Sequence, residues 1–498
     1  MKTSWDETAA PSPVLAGEER NGARVETYPL IIQGGMGAGV SDWRLANAVA
    51  RTGQLGVISG TAIDLILARR LQDGDPGGHM RRALGHFPIR PIAERIVSQY
   101  FIPGGKRPDQ PYKPIPRYCI RPAQSLQELT VAANFSEVWL AREGHRGQVG
   151  INLLEKIQLP NLASLYGAML AGVDYVLMGA GIPREIPGAL DRLARHEDAT
   201  LRLQVAGALK DESFQMRFSP RALFPVPFAP LKRPRFLAVV SSAILALTLM
   251  KKSTGRLDGF VVERPSAGGH NAPPRGPLQL DDRGEPLYGP KDDVDLAQIR
   301  ELGVPFWVGG SCAGPEALRE LRVEGAQGIQ VGTLFAFCEE SGLAEELKRA
   351  VCRLAARGEG RVRTDPLASP TGFPFKVVRL EGSMSEKEVY SDRPRICDLG
   401  YLQEIYRRED GTAGYRCPSE PVEEYLEKGG SREDTEGRKC LCNGLFANIG
   451  LPQVRKSGYR ELPLVTSGNG LNDIARFLAP GKETYTAGEV IRYLMRKG

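Results

Sequence analysis

Five histidines are the whole imidazole supply of this 498-residue chain, and one of them, His270, directly follows Ala267-Gly268-Gly269. Small residues recur in the same way elsewhere: Gln33-Gly34-Gly35-Met36, Gly309-Gly310 and Gly332-Thr333 each close a short apolar run. Glycine lets backbone approach a ligand closely and leaves N–H groups free for an anion. An imidazole beside such a loop can titrate near neutrality and take a proton. A bound phosphate would favour the charged ring, which argues against a strong base there. The pattern therefore points to a phosphate-anchored ligand facing His270. Met36 could lie against a flat ring, and the Asn152 amide could donate to and accept from a heterocycle. The carboxyl of Glu263 either faces the same pocket or merely ends its strand. His79, His86, His145 and His196 fall in loops, helix ends or charged sequence and read as surface residues.

Those small-residue turns need elements to present them. Eight short apolar runs alternate with helical stretches: 29–33, 55–59, 148–153, 174–178, 236–241, 259–263, 305–308 and 326–331. Their lack of alternation suggests burial on both faces, as in a parallel sheet. Eight such units predict an α/β fold, a (β/α)8 TIM barrel with long inserted loops and a C-terminal extension. In that fold chemistry sits at the C-terminal strand ends, and phosphate sits near strands seven and eight. An open dinucleotide-binding sheet would want G-x-G-x-x-G after the first strand; Gly35 to Gly39 offers only G-x-G-x-G. The expected organisation is an arm over 1–27, a barrel over 28–342 and an extension over 343–498. Proline- and glycine-rich insertions are expected near 73–121, 207–235 and 271–292, read as irregular, with an extra strand at Leu201 to Val205.

Composition narrows the class. Hydrophobic residues make up 42% and charged residues 25%, ordinary for a globular protein. Lys+Arg 65 against Asp+Glu 59 is a weak excess without charge blocks, so no nucleic-acid partner is expected. The longest apolar run, Leu237 to Met250, is too short for a membrane span, which needs ~20 residues. No secretory signal is read at the N-terminus, and eight cysteines are no disulfide scaffold, so a cytoplasmic location is expected. Cys397, Cys417, Cys440 and Cys442 cluster in the extension; they are candidate metal ligands, but one C-x-C pair is poor zinc spacing, and inert thiols are the simpler reading.

Taken in order, PLIIQGGMG, VGINL, AGGH, VGGSCAGPEAL and GIQVGTLF resemble the nitronate monooxygenase family, formerly 2-nitropropane dioxygenases. These are FMN-dependent TIM barrels related to FMN-dependent enoyl-acyl-carrier-protein reductases. The resemblance spans residues 28–342. It implies that FMN lies against the backbone of Gln33, Gly34, Gly35 and Met36, with Asn152 hydrogen-bonding the ring. It places the phosphate on Gly268, Gly269, Gly309, Gly310, Gly332 and Thr333, with Ala267 and Ser241 or Ser242 completing the pocket. His270 would be the general base, or the polar group nearest the substrate.

The implied activity is oxidation of alkyl nitronates by oxygen to a carbonyl product and nitrite. The alternative is an enoyl-type reductase using NAD(P)H. A remoter one is a non-redox barrel enzyme using the same phosphate site, weakened because no lysine ends any of the eight strands as drawn. A small-molecule substrate is expected, and homo-oligomerisation is compatible with the sequence. Two departures bear on substrate: Ser266 stands where the family often has Glu, and a long segment with Asn271, Arg275 and Arg283 follows His270 as a prospective lid.

Overall fold

The computed structural model describes residues 28–224 and 229–496, so the expected 1–27 arm lies outside the described residues. Eight parallel strands form one sheet: β1 Ile31–Gln33, β2 Gly56–Ser59, β3 Val149–Leu154, β4 Tyr175–Gly179, β5 Arg235–Val240, β6 Gly259–Glu263, β7 Phe306–Gly309 and β8 Gly328–Val331. Neighbours pair in chain order, and β8 pairs with β1. Two bonds close the ring: Gln33 N–H to the Leu55 carbonyl (3.0 Å) and Leu55 N–H to the Ile31 carbonyl (3.1 Å). The fold is the expected (β/α)8 barrel.

Register fixes which residues point inward. Ile32, Val57, Leu177, Leu237, Val261 and Trp307 form a fully buried cluster inside the ring. Trp307 satisfies its indole N–H on the Pro29 carbonyl at 2.8 Å, as a buried donor must. Two residues further along each strand the inward side chain comes at the C-terminal rim. There the chain has Gly34, Ser59, Gly179 and Gly309, with Asn152, Glu263 and Gln330 between them. Four of these positions carry almost no side chain, so the barrel's upper end stays open.

The helices follow their apolar periodicity. Asp42 caps Trp43–Ala50, accepting from the N–H groups of Arg44 and Leu45. Gln124–Arg142 packs along Gln158–Leu170, where a Cβ on Gly167 would lie 2.2 Å from the Val131 carbonyl oxygen. The 73–121 insertion is not irregular throughout: it holds helices His79–Gly85 and Arg90–Tyr100. Its glycines and prolines punctuate helix ends, and Pro91 sits in a first turn, where no N–H is needed. The extra strand lies at Ala199–Arg202 and pairs antiparallel with Gln215–Phe218, so the 207–235 insertion is partly ordered as a hairpin.

The chain beyond 342 is not set apart from the barrel. Its last helix, Ala487–Leu494, packs between Trp43–Ala50 and Pro315–Val323, in the barrel wall itself. The hairpin Val362–Asp365/Phe375–Val378 lies at the barrel mouth, and a second pairs Glu404–Arg407 with Ala413–Arg416. Among the described residues no helix is long and apolar enough to cross a membrane.

Inside the extension, Arg393 makes a bidentate pair with Glu461 (2.8 and 2.9 Å), and Arg455 also contacts that carboxylate. The Arg393 and Glu461 side chains are only 5% and 1% exposed. Removing one partner of such a pair strands a buried charge. Glu461→Gln is therefore expected to lower unfolding free energy by roughly 3 kcal/mol in denaturant melts of the full chain; an unchanged midpoint and slope would show that this pair does not hold the extension.

Candidate active site

The open rim of the barrel leads into a cavity of about 540 Å³. Most of the small-residue turns singled out in sequence line it: Gly34 to Met36, Ala267 to His270, Gly309-Gly310 and Gly332-Thr333, with Asn152 and Ser241. Gln33 does not. Its amide is spent on Ser41 Oγ (2.9 Å), on the Gly34 carbonyl and in accepting the Val57 N–H (3.0 Å), so it braces the first turn rather than facing a ligand. Ser242 caps Ala243–Lys252 instead of facing the pocket.

Glycine is required at two of these turns. A Cβ on Gly35 would sit 2.4 Å from Asn152 Cβ, so its absence lets Asn152 reach across and donate to the Gly35 carbonyl at 3.2 Å. That commits one amide hydrogen of Asn152, which lines the cavity. A Cβ on Gly268 would meet Ser467 and Gly468 of the extension at 2.8 Å.

The extension is built into the site. Gly269 N–H donates to Thr466 Oγ1 (2.9 Å), its carbonyl accepts the Lys376 N–H (2.9 Å), and Asn271 N–H donates to the Pro374 carbonyl (2.9 Å). Gly468 N–H donates to Thr333 Oγ1 at 3.0 Å. The Gly269 N–H is thus already used and cannot hold a phosphate. The backbone N–H groups of Gly310, Ser311 and Thr333 have no acceptor among the described residues. Beside them Arg264 lines the cavity, with no ion pair or side-chain hydrogen bond among the described residues. Free amides after strands seven and eight, with a cation unpaired among the described residues at the end of strand six, fit a phosphate, in the region where barrels hold one.

His270 lies on the cavity wall, its ring edge-on to Phe375 with centroids 4.9 Å apart. Its Nε2 is 2.7 Å from Ser369 Oγ. Burial, and secondarily the nearby Lys156 ammonium, hold the imidazole well below its ordinary value, so it is neutral at pH 7. Sequence reasoning expected titration near neutrality; the low polarity of the pocket overrides that.

Three functional side chains escaped the sequence reading or were left open by it. Arg264 gave no signal. Lys156 follows β3 by two residues, and burial lowers its ammonium to about 7. A lysine does therefore stand at a strand end, though it lines a second cavity and donates to Thr371 Oγ1 at 3.2 Å. Glu263, an ambivalent candidate, faces the cavity, and burial raises its carboxyl to about 7 with no offsetting partner. The inward parity of Val261 was the signal that could have found it.

The remaining histidines do structural work. His196 is buried rather than superficial, contacting Tyr166 OH (2.9 Å) and the Ala229 carbonyl (2.9 Å). His86 stacks on Trp139, and His145 contacts the Ala141 carbonyl. No group of three or more potential ligands among the described residues could hold a metal. Cys397 lies beside Cys417, which with burial pushes its thiol up, Cys440 accepts from Asn443, and Cys442 reaches the cavity wall. The 271–292 segment overlies one side of the cavity, where Arg275 donates to the Ser241 carbonyl at 2.9 Å.

No protein-family model matches the chain, and no curated protein matches it. Among solved structures it is similar to FabK from Thermotoga maritima (14% identity, TM-score 0.46, covering 95% of this chain and 93% of that one). It is also similar to nitroalkane oxidase from Streptomyces ansochromogenes (16%, TM-score 0.46, covering 94% and 95%). A further similarity is to the enoyl reductase domain of MlnA from the macrolactin biosynthesis cluster of Bacillus amyloliquefaciens (12%, TM-score 0.44, covering 94% and 93%).

Glu263 makes stability depend on pH. Its folded-state value lies above that of an unfolded glutamate, so between about 4.3 and 7 the native state binds more protons than the unfolded one, and stability falls as pH rises. Glu263→Gln removes this dependence. The variant should gain roughly 3–4 kcal/mol over the parent above pH 7 and nothing near pH 4, read from denaturant melts across pH. An equal difference at both pH values would mean the carboxyl is not held neutral by burial.

Proposed function

We propose that the chain is an FMN-dependent oxidoreductase. The observation that carries this reading is the shared cavity: an unpaired Arg264 with free amides of Gly310, Ser311 and Thr333 lies on the same wall system as a neutral His270. The residues fit the cofactor. Arg264 and those amides would hold the phosphate, the glycine turn at 34–35 with Met36 offers a flat apolar surface, and the Asn152 oxygen can accept from a ring N–H. Bound FMN would supply the hydride or electron transfer that no side chain here can perform.

The protein's own residues handle the proton. His270 is a poor base for a neutral carbon acid, because burial disfavours its charged form. As a donor it is better placed, since Nε2 can take a proton from Ser369 while the ring gives one up. That favours a reaction that consumes a proton, the reduction of an activated carbon–carbon double bond with NAD(P)H as electron source. Oxidation of an alkyl nitronate by oxygen is the second reading. It is favoured by Arg275 on the cavity wall, which suits an anion, and by the fact that a nitronate arrives deprotonated and needs no strong base. Phe375, Met36 and the segment over the pocket limit water.

The purified full chain should bind FMN in 1:1 ratio and show a flavin absorption band. Anaerobic bleaching by NADPH supports the reductase reading; bleaching by propionate 3-nitronate without NADPH supports nitronate oxidation. A colourless protein that rejects FMN on reconstitution contradicts both and leaves the non-redox barrel reading. His270→Ala should keep FMN and lose turnover by ~10²–10⁴-fold; full turnover would remove His270 from the chemistry.

A further inference from the structure

Two cavities lie on either side of Phe373: the ligand cavity with His270, and a second one of about 660 Å³ lined by Lys156 and Thr371. Between them runs an unbroken line of polar atoms. Lys156 Nζ is 3.2 Å from Thr371 Oγ1, Thr371 Oγ1 is 2.8 Å from Ser369 Oγ, and Ser369 Oγ is 2.7 Å from His270 Nε2. The turn is self-braced, since Thr371 N–H also donates to Ser369 Oγ at 3.2 Å. The Lys156 ammonium rests 3.7 Å over the Phe373 ring, which fixes the stem without adding a proton acceptor. Ser369 and Thr371 belong to the extension, His270 and Lys156 to the barrel.

We propose that Lys156, Thr371 and Ser369 form a proton relay that recharges His270 from the second cavity, and that the extension is retained at the barrel mouth to supply its two hydroxyls. The proposal rests on the reading of His270 as the proton donor. In the reductive direction His270 releases a proton from Nδ1 to the substrate carbon. Ser369 passes its proton to Nε2, Thr371 passes its own to Ser369, and the Lys156 ammonium gives one to Thr371. Neutral Lys156 then takes a proton from water in the second cavity. One proton enters and one leaves, no electron moves along the line, and between turnovers water admitted to the ligand cavity carries the ring N–H from Nε2 back to Nδ1.

The charges facing this line suit the role. Glu155 lies beside Lys156, with Glu185 near Glu155, and His270 faces Lys156 from the other end. Burial brings Lys156 to about 7, where it can both give and regain a proton. His270, held lower, does not trap the proton on its way through.

Two measurements on the full chain test the relay. In NMR titrations with labelled histidine, Lys156→Met should raise the His270 midpoint, because a nearby cation is gone; this needs neither cofactor nor turnover. An unmoved midpoint overturns the coupling. In turnover of the FMN-loaded enzyme, Ser369→Ala should cut kcat at least tenfold at constant KM and FMN occupancy and abolish the limb near pH 7, and Ser369→Thr, which keeps a hydroxyl, should restore that limb. Ser369→Ala with parental kcat and an intact limb overturns the relay. If the chain takes no FMN while the NMR coupling holds, the oxidoreductase reading falls and the Lys156–His270 link survives.

Discussion

The site depends on one contact between distant parts of the chain, the 2.7 Å hydrogen bond between His270 Nε2 and Ser369 Oγ. It joins the end of barrel strand β6 to a hairpin that begins a hundred residues later. Around it the backbone is zipped on both sides: Gly269 and Asn271 bond to Pro374 and Lys376, and Gly269 also bonds to Thr466. A glycine-rich segment left alone at a strand end would sample many conformations. Here its amides and carbonyls are fixed by the extension, and the imidazole is fixed with them. The cost is that some groups which looked free for a ligand are already paired.

What remains free is concentrated near strands seven and eight. There the extension's Gly468 donates to the Thr333 hydroxyl but leaves the Thr333 N–H unpaired. Arg264 lies beside them without a counter-charge among the described residues. Glu263 and Arg264 are consecutive, so the pleat of β6 sends them in different directions. Glu263 faces the barrel axis at the cavity wall, where burial raises its carboxyl to about 7; Arg264 lies against Gly310 after β7. One strand end therefore contributes a carboxyl raised to about 7, a cation, and six residues later the histidine.

Much of this was legible in sequence because it follows from short-range rules. The eight strands, the glycine turns after β1, β6, β7 and β8, and the singling out of His270 all come from apolar runs ending in small residues. The misses have physical reasons. Gln33 looked like a ligand contact because it ends a strand, but parity and the Ser41 hydroxyl turn its amide into the first loop. Lys156 lay two residues past the apparent end of β3, and nothing local announces that Phe373 and Thr371 will cover it. Ser369 could not be linked to His270 by any local pattern. The helices of the 73–121 insertion were hidden because proline and glycine mark the ends of helices as readily as their absence. His196 sits in charged sequence yet is buried through Tyr166 and Ala229.

The central claim is that barrel and extension together form one cofactor site. Hydrogen–deuterium exchange of the full chain with and without FMN tests it most directly. Slowed exchange on adding FMN is predicted in two places at once, the loops after β7 and β8 and the extension around residues 465–469. Protection of the barrel loops with no change in the extension, or no protection at either, would contradict it.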